Sequence, residues 1–327
     1  MKTAMIGSRG HFQYALRALP RLKNIEITGI STGCEDDASL LLAGCRKAGF
    51  EPQLYGDWKK MLQEVKPHIV VIDGPFELHA QMCVFALERN IHIFCEKPIS
   101  LDWEGLAEIR RAYEKSSARL LSMVGLRYEA DFQTALHLVK AGAVGKVKLI
   151  SARKSYRLGE RPLFYRKRST YGGTIPWVGS HAFDWILAFS GSRFDTVFAT
   201  HTCEDNKGHG ELEIACQTLC TMKNGVQAQA SIDFLRPEAA PTHGDDQVRI
   251  AGTDGVLEVR KGKITLIDKE GEREIPVKED LPHIFEDFVC SIENGTPCMV
   301  PDEEAFLLTE ALLAARDSAD TGKVIKL

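Results

Sequence analysis

The sequence predicts an α/β protein of two domains: a parallel-sheet domain over residues 1–124 and a second domain, 125–327, whose strands are mainly antiparallel. Three observations carry this. A chain of 327 residues is too long for one core of ordinary size and suits two. Its first third alternates short β-branched runs with helical patterns, as βαβ units do. After Val124 the pattern turns to long segments of alternating polarity, which suit antiparallel strands buried on one face.

In chain order, "TAMIG", "IEITGIS", the short "PQLYG", "HIVVIDG", "IHIFCE" and "ARLLSMVG" read as strands of the first domain. The segments between them, "HFQYALRALPRL", "DDASLLLAGCRKAG", "WKKMLQEV", "ELHAQMCVFALERN" and "DWEGLAEIRRAYEKS", carry apolar residues at three-to-four spacing and read as helices. One helix, "DFQTALHLVKAG", opens the second domain. It is followed by strand segments such as "KVKLISARKSY", "CQTLCTMK", "VQAQASIDF", "DQVRIAG", "VLEVRKG" and "KITLIDK". An amphipathic helix over about 302–320 closes the chain and is expected to pack back on the first domain.

Composition narrows the setting. Hydrophobic residues make up 44% and charged residues 26%, and a formal charge of −4 provides no basic surface for nucleic acid. No apolar stretch reaches spanning length and the N-terminus lacks the apolar core of a signal peptide, so a cytoplasmic protein with no membrane partner is expected. Nine scattered cysteines show neither zinc spacing nor a disulfide framework, and no metal is expected.

A dinucleotide site needs a tight turn from the first strand into the first helix, with backbone N–H groups facing the pyrophosphate. The turn here is Gly7, Ser8, Arg9, Gly10, His11, Phe12, a degraded GxGxxG in which Arg9 and Phe12 replace the second and third glycines. An acid after the second strand would bond the adenosine ribose diol, whereas hydroxyl or basic groups accept a 2′-phosphate. Ser31 and Thr32 stand there, so NAD(P) is expected with NADP favoured over NAD, although Glu35 and Asp36 lie close by.

The fourth strand ends in a turn with Gly74, Pro75 and His79, and the fifth in Glu96, Lys97 and Pro98. Both turns fall at the carboxyl edge of the sheet, where a nicotinamide would sit. A lysine delivered there is placed for proton transfer. The loop from Arg157 to Gly173 is basic and aromatic, and Tyr156, Arg161, Tyr165 and Arg168 are candidates for recognising a polar or acidic substrate.

The set "GPFELH", "CEKPIS", "GLRYEADF", "AGAVGKVKLI", "GGTIPWVGSHAFDWI", "RIAGTDGVLEV" and "IENGTP", in this order, resembles the Gfo/Idh/MocA family of glucose-fructose oxidoreductases, inositol dehydrogenases and rhizopine-catabolism proteins over nearly the whole chain. The resemblance implies a Rossmann domain followed by an α/β domain with a large open antiparallel sheet, through which members form homodimers or homotetramers. It also implies NAD(P)-dependent oxidation of a secondary hydroxyl on a sugar, inositol or related polyol. Lys97 and His181 fall at the family's catalytic positions, with Asp184 as the later acid. Arg127, Tyr128, Tyr156, Tyr165, Trp177 and Asp184 are the expected substrate contacts. Trp177 departs from the family, which commonly has an aspartate four residues before the histidine, and its indole is read here as a platform for a sugar face. Two alternatives stay open: glycoside cleavage through transient oxidation with the cofactor recycled, and a catalytically silent nucleotide- or sugar-binding regulator.

Overall fold

Six short strands form a parallel sheet: β1 (Lys2–Ile6), β2 (Glu26–Ser31), β3 (Gln53–Leu54), β4 (Ile69–Ile72), β5 (His92–Cys95) and β6 (Leu120–Ser122). They belong to a computed structural model that describes residues 1–327. The strand order is β3-β2-β1-β4-β5-β6, so the winding reverses between β1 and β4. At such a switch point the carboxyl ends of two adjacent strands open a crevice for ligands. The central strands are buried on both faces, which is why β4 is an unbroken apolar run, Ile69-Val70-Val71-Ile72. Helices α1 (Gln13–Ala18), α2 (Ser39–Lys47), α3 (Trp58–Val65), α4 (His79–Leu87) and α5 (Trp103–Tyr113) connect the strands. The starts of α3 and α5 are set by Asp57 and Asp102, whose side chains accept backbone N–H groups of the first turn.

The chain divides into two compact units, residues 1–125 with 282–309, and residues 126–281 with 310–327. The helix Ile284–Asn294 belongs to the first because Phe285 and Phe288 pack on Phe94 of β5, with ring centroids 5.1 and 5.9 Å away. Asp302, at the start of the helix Asp302–Thr321, pairs with Arg119 at 2.9 Å and accepts the N–H of Leu120 on edge strand β6. The edge is thereby covered instead of being left open for another strand.

The second unit is built on nine strands: β7 (Val147–Ser155), β8 (Phe194–Thr202), β9 (Ala215–Met222), β10 (Gln227–Asp233), β11 (Gln247–Gly252), β12 (Gly255–Arg260), β13 (Lys263–Asp268), β14 (Gly271–Ile275) and β15 (Ile325–Lys326). Their order is β14-β13-β12-β11-β7-β10-β9-β8-β15, with β7 and β10 parallel and every other pair antiparallel. Burial alternates along β9 and β10, so one face is core and the other open. The helices Ala130–Lys140 and Ser180–Ser190 pack against this sheet.

Candidate functional site

The turn after β1 and the turn after β4 are pressed together at the switch point. Gly7 has φ +81°, and a Cβ there would lie 2.4 Å from the Gly74 carbonyl oxygen, so only glycine fits. The Arg9 N–H donates to the Asp73 carbonyl at 2.9 Å. The next three N–H groups, of Gly10, His11 and Phe12, donate to the Asp73 carboxylate at 3.1, 2.9 and 2.9 Å. Phe12, in place of the third glycine, is buried, and its ring lies against Gly44 of α2, where an added Cβ would come within 3.1 Å. The space that a glycine normally leaves inside the turn has moved to the neighbouring helix.

At the end of β2 the expected phosphate contacts are otherwise engaged. Ser31 is buried and its hydroxyl accepts the Gly33 N–H, while the Thr32 hydroxyl donates to the Cys34 carbonyl. The Arg9 guanidinium reaches Asp36 at 2.6 Å and Glu77 at 3.3 Å. Its hydrogen bond holds the Asp36 carboxyl below the usual carboxylate range. The acid of this region is thus Asp36, five residues past the strand, where sequence spacing alone points to Ser31.

At the ends of β4 and β5 the peptide bonds before Pro75 and Pro98 are cis. His79 is buried and donates from Nδ1 to the Pro98 carbonyl at 2.9 Å, tying the start of α4 to the β5 turn. It is a structural tie, not an exposed cleft residue. Burial pushes the imidazole down to about 4, whereas an unfolded histidine takes a proton near 6.5. Stability from this group is therefore fully present above pH 6.5 and is lost as pH falls from there through 4. At 1.36 kcal/mol per pH unit the full gap corresponds to about 3 kcal/mol. We expect His79→Gln to flatten the fall in urea midpoint between pH 7 and 4.5, and an identical slope in the variant would clear His79 of this role.

Glu96 and Lys97 are both buried, with Lys97 only 1% exposed. Lys97 Nζ lies 3.2 Å from Glu96 Oε1, and His11 Nδ1 lies 3.0 Å from Glu96 Oε2. Burial opposes the Glu96 charge, but the adjacent His11 and Lys97 outweigh it and bring its pKa to about 2. The pair expected from a Glu-Lys dipeptide is present, yet it is enclosed instead of lying on the surface.

In the second unit, His181 sits in the first turn of the helix Ser180–Ser190 and is buried. Asp184, one turn on, pairs with Arg127: Nε donates to Oδ2 at 3.1 Å, and both side chains are buried. These two expected substrate contacts therefore hold each other. Tyr128 is buried and its carbonyl accepts from Gln133 at 2.7 Å. Arg168 is committed to Glu213 and Asp320, each at 2.7 Å, and Arg161 donates to the Arg157 carbonyl and stacks over Phe234. The basic loop is thus fastened by its own charges.

Trp177 is 8% exposed and packs edge-on against Tyr165 and Tyr171, with centroids at 5.1 and 5.9 Å. The indole is part of an aromatic core and not an open platform, because Gly172 and Gly173, at φ +85° and +108°, turn the chain so that these rings converge. We expect Trp177→Ala to leave a cavity and cost about 3 kcal/mol, read as a lower melting temperature. A melting temperature within a degree of wild type would return Trp177 to the platform reading.

Sequence reasoning missed Lys154 and Asp246. Lys154 is buried, pairs with Asp246 at 2.6 Å and lies over the rings of Tyr156 and Trp185. The signal was available: Lys154 follows Ile150 and Ala152 on the inward face of β7. Lys154, Tyr156, Phe132, Asp131 and Asp246 line a cavity of about 680 Å³ within this unit.

Comparison with known proteins places this geometry in a family. The profile described as oxidoreductase family, NAD-binding Rossmann fold, matches residues 1–124, and that of the GFO/IDH/MocA C-terminal domain matches residues 132–258. The chain belongs to the Gfo/Idh/MocA oxidoreductase family. A solved oxidoreductase structure from Thermotoga maritima is 46% identical with TM-score 0.96, covering 100% of both chains. The D-xylose 1-dehydrogenase (NADP(+)) 2 of Haloferax volcanii is 25% identical over 84% of this chain and 85% of its own. The myo-inositol 2-dehydrogenase of Thermotoga maritima is likewise 25% identical, over 86% of each. The family's Rossmann domain and its mainly antiparallel sheet are the two sheets seen here. No helix is long and apolar enough to cross a membrane.

Proposed function

We propose that this Gfo/Idh/MocA protein oxidises or reduces a secondary hydroxyl of a sugar, inositol or related polyol with NAD(P). The observation that carries the reading is the buried Lys97 ammonium beside Glu96 at the carboxyl end of β5. Away from water, such a charge is suited to hold negative charge developing on an alcohol oxygen. His181 takes the hydroxyl proton as base, or returns it in reduction. The nicotinamide supplies the acceptor for the carbinol hydride. The names of the xylose and inositol relatives support the substrate class.

The turn of Gly7, Ser8, Arg9, Gly10, His11 and Phe12, with Gly74 and Pro75 across the switch point, is the proposed seat of the dinucleotide, although three of its N–H groups are bonded to Asp73. The Asp36 carboxylate, 42% exposed, offers acceptors to a ribose diol, and the Arg9 guanidinium offers donors to a 2′-phosphate. That NADPH binds at least as tightly as NADH is proposed on Arg9 alone, since Ser31 and Thr32 are bonded within the chain. The open face of the nine-stranded sheet exposes Leu149, Leu219 and Ile267, and is proposed as the contact of a homo-oligomer. Nine unpaired cysteines suit a reducing, cytoplasmic setting.

Fluorescence titration with NADH and NADPH, then a polyol panel with the tighter cofactor, tests the reading. Saturable binding and substrate-dependent change in NAD(P)H absorbance are expected. Failure of both nucleotides to bind would sink it.

A further inference from the structure

The three N–H groups that follow Arg9 are already bonded to an anion, and that anion belongs to the chain. In a dinucleotide turn such groups face the cofactor's pyrophosphate. Here the Asp73 carboxylate, from the end of β4, accepts the N–H groups of Gly10, His11 and Phe12 at 2.9–3.1 Å. Asp73 is fully buried, and its own carbonyl accepts the Arg9 N–H, so the residue is fixed from both ends. The point where a Gly10 Cβ would stand is 2.6 Å from Asp73 Oδ1 and 2.8 Å from Glu96 Cδ, so the two carboxyls flank the turn close to one another.

We infer that Asp73 is an internal anion occupying the pyrophosphate's N–H seat, so that dinucleotide binding requires this carboxylate to give up its charge and is accompanied by uptake of a proton. The inference rests on the NAD(P) reading above and adds a charge-dependent step to it. On the turn, Arg9 points to Asp36 and Glu77, and His11 points to Glu96. From β5 come Cys95, Glu96 and Lys97, with the ammonium directed at Glu96. From α4, His79 is bonded to the Pro98 carbonyl. The local cations are thus given to other acids, and Glu96 adds its negative charge. Burial, then that charge, push the Asp73 carboxyl well above its ordinary range, against the three N–H bonds that favour ionisation. A pyrophosphate adds negative charge nearby and raises it further, so affinity grows as pH falls and levels off once free Asp73 is protonated.

The test is calorimetric titration of the full chain with NADH and NADPH from pH 6 to 9, each pH in two buffers of different ionisation enthalpy. Wild type is expected to take up close to one proton per nucleotide at the alkaline end, with affinity falling roughly tenfold per pH unit there. Asp73→Asn should abolish the uptake and bind roughly tenfold or more tightly than wild type at pH 9. Thermal melting shows whether the variant is folded; if it is not, the wild-type proton count decides alone. Binding of wild type without proton uptake, or a folded Asp73→Asn that keeps the wild-type slope, overturns the inference and leaves the NAD(P) reading standing. Absence of binding by both proteins at every pH removes both, and binding by the variant alone upholds the inference.

Discussion

Lys97→Met is expected to lower kcat by about a hundredfold or more while dinucleotide affinity stays within a few-fold of wild type. Methionine keeps the length and apolar volume of the lysine stem, so the loss isolates the charge. The ammonium is enclosed, 3.2 Å from Glu96, and an enclosed charge is worth far more to a developing alkoxide than one in water. Because that charge acts in the transition state, kcat should fall with KM little changed. His181→Ala should produce a loss of similar size by removing the proposed proton acceptor. Glu96 keeps His11 as a partner in the Lys97 variant, and a thermal melt run beside the kinetics separates lost chemistry from lost fold. Wild-type turnover in a folded Lys97→Met protein would remove the lysine from the reaction.

Much of the first sheet was legible because each βα unit encodes itself locally. Runs such as Ile69–Ile72 are apolar on consecutive residues, as a strand buried on both faces must be, and Asp57 and Asp102 announce the helices they cap. The Glu96-Lys97-Pro98 turn was legible for the same reason: a strand that stops in charge stops at the edge of a sheet. What escaped depends on partners distant in sequence. Nothing near Asp73 says that its carboxylate meets N–H groups 61 to 63 residues earlier. Arg168 reads as a free cation until Asp320, 152 residues away, closes on it. The strand β8 and the helix Ile284–Asn294 went unnamed, although Phe285 and Phe288 lie at helical spacing. Their destination on Phe94 is a tertiary fact. Trp177 shows the same limit, since a departure from a family pattern marks a changed environment without saying whether ligand or core fills it.

Arg127→Ala is expected to destabilise the second unit by about 4 kcal/mol, because it leaves the Asp184 carboxylate buried with its guanidinium partner gone. For a unit of this size that corresponds to a fall of roughly 10 °C in melting temperature. Asp184→Ala should cost a similar amount by stranding the arginine. The pair is not thereby shown to stabilise the fold, since desolvating two charges costs about as much as their attraction returns. The double replacement Arg127→Met with Asp184→Leu removes both charges and keeps apolar volume, so it should recover most of the loss in either single variant. Activity of the double variant then assigns the arginine. Near wild-type kcat and KM would make the pair a scaffold that fixes the helix carrying His181 three residues before Asp184. A raised KM in a well-folded double variant would show that the guanidinium also touches the substrate, as expected from its place in the sequence. Should Arg127→Ala melt within a degree or two of wild type, Asp184 does not depend on the guanidinium for its burial.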